Sequence, residues 1–225
     1  MITRHLKHPL VGLGLTALLC IGIDAAALAA KQPPQTTEDG LELKKSKKVD
    51  LLYVRPGATL TGYTKIMMDP VQVAFSKSWD PKDYGGTFGL KTSDVERIRN
   101  GIAELARETF VKVLGEGGYP EVKAADAGVL RLSVYILDLY VNAPDTMQPG
   151  RNRTFSAEAG HMTLGIELRD AVTGTLMARA LDRGRSSDTN RFTWANSVSN
   201  RAEAERMLTV WANQMKDALD AAKAP

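Results

Sequence analysis

Between Glu158 and Gly184 the chain alternates: Met162, Leu164, Ile166 and Leu168 are apolar, and Thr163, Gly165, Glu167 and Arg169 separate them. A period of two predicts a half-buried strand with one face inward. Asp170 to Gly174 supplies a reversal, since the Asp170 carboxylate can bond turn amides and Gly174 tolerates positive φ. A second strand, Thr175 to Asp182, then returns beside the first. Val129 to Val141 is β-branched and aromatic, with Leu130, Leu132, Val134 and Ile136 on one face and Leu137 and Leu139 on the other. It reads as a central strand. Shorter apolar runs at Val49–Val54 and Lys65–Met68 add two strands. Pro70 ends the latter or confines it to an edge.

Two segments carry a helical period instead. Val95, Ile98, Ile102, Leu105, Thr109 and Val113 recur every three or four residues behind a capping box, Ser93 to Glu96. Gly115, Gly117, Gly118 and Pro120 stop that helix. Asn200 with Glu203 caps a second, whose stripe runs from Ala204 through Met207, Leu208, Trp211, Met215 and Leu219 to Ala222. Strands that follow one another without helices favour antiparallel pairing. The expected fold is α+β: two layers, a mostly antiparallel sheet of about four to five strands, and two main helices packed on one face.

Three stretches lack periodicity. Ser76–Leu90 is an irregular loop with Trp79 and Tyr84, and Asn142–Ser156 and Arg185–Asn200 are polar connections. Antiparallel order brings the last two to the same end of the sheet, where Arg151, Arg153, Arg185, Arg191, Trp194 and Asn196 become candidate contacts. Arginine beside an aromatic suits a carboxylate, a sugar or a protein partner.

The N-terminus changes the picture. Arg4 and Lys7 precede the uncharged apolar run Pro9–Ile23 and the small residues Ala25–Ala30, the layout of a secretory signal. The run falls short of the roughly 20 residues a spanning helix needs. Residues 1–30 are read as a signal peptide cleaved near Ala29, residues 31–48 as a flexible polar leader, and 49–225 as one domain. The expected location is the periplasm. Cys20, the only cysteine, follows Leu18-Leu19, which departs from a lipoprotein signal; outer-membrane anchoring through an acylated Cys20 is the alternative, and membrane contact is expected only then.

Composition narrows the chemistry. A net charge of +3, dispersed along the chain, gives no nucleic-acid surface. His161 is the one histidine beyond the signal segment and is read as a surface or strand-edge residue; a lone histidine makes no metal site. No G-x-S-x-G elbow, Walker loop or dinucleotide fingerprint occurs. Asp138, Asp145, Glu158 and Glu167 fall near the sheet, and paired-carboxylate hydrolysis would need two of them roughly 5 to 10 Å apart. No catalytic residue, cofactor or metal is therefore expected. The leading expectation is a non-enzymatic envelope module that binds a protein partner or cell-wall component. The alternative is a small-molecule or glycan binder with weak hydrolase activity using Glu158 or Asp145.

The strings DLLYVRPGA, DPVQVAFSKSWDP, DLYVNAPDTM, SAEAGHMTLGIELRDAVTGTLMAR and WANSVSNRAEA, in that order, resemble the domain of unknown function 3313 family from about Asp39 to Ala222. The resemblance implies a bacterial envelope protein, often a lipoprotein, with no established activity and no catalytic residues to carry over.

Overall fold

The computed structural model describes residues 32–84, 89–141, 160–185 and 197–223, and Pro34–Pro225 forms one compact unit. Its strands are β1 (Glu42–Lys44), β2 (Leu51–Val54), β3 (Lys65–Met68), β4 (Gln72–Phe75), β5 (Val129–Val141), β6 (Gly160–Asp170) and β7 (Leu176–Arg185). The helices are α1 (Thr92–Glu116) and α2 (Ser197–Lys223).

The predicted hairpin is the centre. Its turn closes as the sequence implies: the Asp170 carboxylate accepts from the Val172 and Thr173 amides at 3.0 and 2.6 Å, and Gly174 takes φ +70°. β5 pairs antiparallel with β6 along its whole length. Outward from β7 come β2 and then β1, giving the order β1-β2-β7-β6-β5-β3.

The α+β class and the two helices stand, but among the described residues the sheet has seven strands and is mixed. β3 and β4 both run parallel to β5, one after the other along the same edge: Lys65–Met68 beside Val129–Leu132, and Gln72–Phe75 beside Tyr135–Leu139. Pro70 interrupts this edge, as a residue without an N–H must. α1 is the crossover that returns the chain parallel to β5, a connection two-residue turns cannot make.

The segment read as a flexible leader also differs. Leu41 is fully buried with Tyr53 and Leu176, and β1 pairs with β2. The Tyr53 hydroxyl donates to the Pro34 carbonyl at 3.0 Å. Two leucines spaced for one strand face, Leu41 and Leu43, are enough to fasten a polar segment to a sheet edge.

Both helices contribute to one core. Leu105, Phe110 and Leu114 of α1 and Leu208, Trp211, Met215 and Leu219 of α2 bury against Leu130, Leu132, Val134 and Ile136 of β5 and against Met162, Leu164, Ile166 and Leu168 of β6. Each such side chain contributes about 1.5–3 kcal/mol over an exposed position. α2 approaches β7 closely because residue 184 is glycine: a Cβ there would lie 2.9 Å from the Trp211 ring.

The helix ends shift slightly. α1 begins at Thr92, with the Asp94 carboxylate accepting from the Lys91 amide at 3.3 Å, so Ser93 lies inside the first turn and is not the cap. α2 begins three residues before Asn200. β6 is not half-buried, because Thr163 and Glu167 on its polar face are enclosed as well.

Candidate functional site

The register settles where the two long polar connections attach. Val141 pairs with Gly160, and Tyr140, His161 and Arg185 stand side by side across β5, β6 and β7. The end of β5, the start of β6 and the end of β7 thus share one end of the sheet, as antiparallel order predicts. Arg151, Arg153, Arg191, Trp194 and Asn196 lie outside the described residues, as do Asp145 and Glu158. Arg185 is described by its backbone, the last residue of β7.

What the structure gathers at this end is Asp138 and His161, which the sequence reading names without joining them, together with Tyr140 and Arg183, to which it gives no role. β5 carries a bulge between Leu137 and Tyr140, so Asp138 and Leu139 together oppose Met162. Asp138 adopts φ +53°, left-handed for a residue with a Cβ, a conformation that costs free energy and is tolerated best by Asp and Asn. The bulge does two things. It returns Leu139 to the helix-facing core, where it is buried, and it turns the Asp138 carboxylate toward neighbouring strands. There Arg183 Nη2 approaches Asp138 Oδ2 at 3.3 Å and His161 Nε2 approaches it at 3.6 Å.

His161 is not a strand-edge residue. It lies between β5 and β7, half-buried, its ring stacked on Tyr140 with centroids 5.2 Å apart. The Tyr84 hydroxyl donates to that of Tyr140 at 3.3 Å. Trp79 stacks between Phe75 (4.3 Å) and Tyr84 (5.8 Å), and its indole N–H donates to the Val141 carbonyl at 3.0 Å. The Ser76–Tyr84 part of the loop is thereby pinned by its aromatics to the last residue of β5. Burial first, and then the bond to Tyr140, push the Tyr84 phenol well above its ordinary value, so it stays a neutral donor at physiological pH.

Glycine sets the mouth of this end. Gly160 has φ +123°, and a Cβ there would fall 2.6 Å from the Tyr140 carbonyl oxygen. The two strands can approach where the chain re-enters the sheet only with hydrogen at this position. A carboxylate, an imidazole, a guanidinium and a phenol on one rigid patch can donate and accept hydrogen bonds and stack on a planar group. Among the described residues, no three His, Cys, Asp or Glu side chains gather as metal ligands would.

The profile of the family described as protein of unknown function (DUF3313) matches residues 37–215. The chain belongs to this family. No curated protein matches it. Among solved structures, the PelC dodecamer from Paraburkholderia phytofirmans is 10% identical over 71% of this chain and 95% of its own, with a TM-score of 0.34. A minor lipoprotein from Acinetobacter baumannii is 12% identical over 72% of this chain and 95% of its own, with a TM-score of 0.32. A Xanthomonas campestris protein is 12% identical over 67% and 80%, with a TM-score of 0.34.

Proposed function

We propose that this chain is a non-enzymatic binding or scaffold protein of the bacterial envelope, and that it meets a protein partner through the sheet end carrying Asp138, Tyr140, His161 and Arg183. The observation that supports this most is the register Tyr140–His161–Arg185, which brings both long polar connections to one rigid platform. Loops anchored on such a scaffold are the usual place for recognition. The export reading rests on residues 1–30, whose basic, apolar and small-residue segments follow the secretory order. The strained Asp138 adds weight, since backbone outliers are kept where they serve a site.

Capture from envelope extracts with the full tagged chain tests the surface. A partner held by wild type should also be held by R206A, which removes an exposed charge on α2, and should be lost about tenfold or more by H161A/R183A with an unchanged circular dichroism spectrum. Equal retention by the double variant would overturn the assignment.

A further inference from the structure

An open sheet edge invites pairing with another chain unless it is covered, charged or distorted. On one side of this sheet β1 is covered: the Leu43 N–H donates to the Gln35 carbonyl at 2.9 Å, and Thr36 bridges Glu42. It also carries two charges, Glu42 and Lys44. On the other side β3 is covered by the chain that follows α1. The Ile66 N–H donates to the Pro120 carbonyl at 3.1 Å, and the Val122 N–H to the Ile66 carbonyl at 2.8 Å. β4 differs. It pairs with β5 alone, and among the described residues no backbone bond leaves its outer side. Pro70 guards only the start of this edge, and Val71 to Phe75 carry no charge. β4 is also regular, because the extra residue between its Val73–Ile136 and Phe75–Leu139 pairs lies on β5. Val71, Val73 and Phe75 pack against the core, whereas Gln72 and Ala74 are exposed.

We propose that β4 pairs antiparallel with β4 of a second copy of this chain, about a two-fold axis through Val73. Residues directly opposite in an antiparallel pair share a face. The axis therefore sets Val71 against the second copy's Phe75 and Val73 against its own equivalent, so the apolar row continues from one core into the next. Gln72 meets the second copy's Ala74 on the other face. The strand itself supplies what this edge needs, an uncharged partner with apolar residues at a period of two, and a two-fold contact uses the same patch on both copies. No like charges meet, whereas a strand protected against self-pairing carries them. The strands run antiparallel, so the two platforms of Asp138 and His161 lie at opposite ends of the joined sheet. This edge and the partner surface can each fail without the other.

Sedimentation equilibrium of the protein purified from the envelope fraction should show a concentration-dependent dimer. Q72K/A74K places lysines opposite one another at two symmetric pairs and should raise the dimer dissociation constant about tenfold, with an unchanged circular dichroism spectrum. Q72E/A74E should weaken the dimer in the same way. Mixing the two variants should restore it, because each lysine then faces a glutamate. A wild type that stays monomeric at every concentration, leaving the edge to a strand of another protein, would overturn the proposal. So would a lysine variant as dimeric as wild type, or a mixture of the two variants that stays monomeric.

Discussion

Replacing Trp211 by alanine should lower stability by about 4 kcal/mol, read as a fall in the urea midpoint. The ring is 3% exposed and lies against Gly184, where α2 crosses β7. Its indole N–H donates to Asp182 Oδ2 at 2.7 Å, while the other carboxylate oxygen accepts from the Asp50 amide at 3.1 Å. Asp50 in turn accepts from the Arg183 amide at 3.0 Å, so one carboxylate pair joins β2, β7 and α2. W211F keeps most of the packing but removes the donor, and should cost about 1–2 kcal/mol. The network also sets a pH dependence. Burial, the largest cause, raises the Asp182 pKa above its ordinary value of 3.8. The folded chain then binds the proton more tightly than the unfolded chain, so this group's contribution is complete below 3.8 and is lost as pH rises through the folded value. Wild type should therefore lose stability relative to D182N as pH rises above 4, by urea unfolding across the acid range. A W211A midpoint within about 1 kcal/mol of wild type would contradict the packing account.

R179M should cost about 3 kcal/mol. Arg179 donates to Glu167 Oε1 from Nε at 2.8 Å and from Nη2 at 2.7 Å, and also meets Asp39 at 2.9 Å. Glu167 has a side chain only 7% exposed, and after the substitution it would keep Arg169 alone. A buried carboxylate stripped of its main partner carries most of its desolvation penalty uncompensated. Replacing both members, as E167L/R179M, should recover more than half of the loss, because the charges that lose a partner, Arg169 and Asp39, reach solvent and no buried charge is left unpaired. Chemical unfolding of the single and double variants decides it, and a double variant no more stable than R179M would show that the pair stabilises the sheet by more than mutual neutralisation. Asp39 belongs to the segment that packs over Tyr53, so the single variant should also loosen β1.

Long elements were legible because each repeats its pattern many times. β5 runs from Val129 to Val141 as the β-branched stretch indicates, and the Asp170–Gly174 turn forms by the bonds its residues advertise. β1 and β4 were not legible: Glu42–Lys44 and Gln72–Phe75 are too short to show a period, and β4 follows directly on Pro70 and Val71. The parallel pairing on β5 was hidden for another reason: it depends on a crossover through α1, which no local pattern encodes. The bulge did leave a trace. Apolar positions step by two from Leu130 to Ile136 and then by three to Leu139, a phase slip that marks Asp138 as the extra residue. His161 was undervalued because a single histidine carries no motif, and its meaning comes from Tyr140 and Asp138 across the strand pair.

The most direct test places a photo-crosslinking amino acid at Arg183, beside Asp138 and His161, or at Val172, 63% exposed on the hairpin turn at the far end of β6 and β7. In cells making the full chain, the probe at position 183 should trap a second protein in the envelope fraction, and the probe at 172 should not. Adducts from 172 alone, or the same adducts from both positions, would contradict the account.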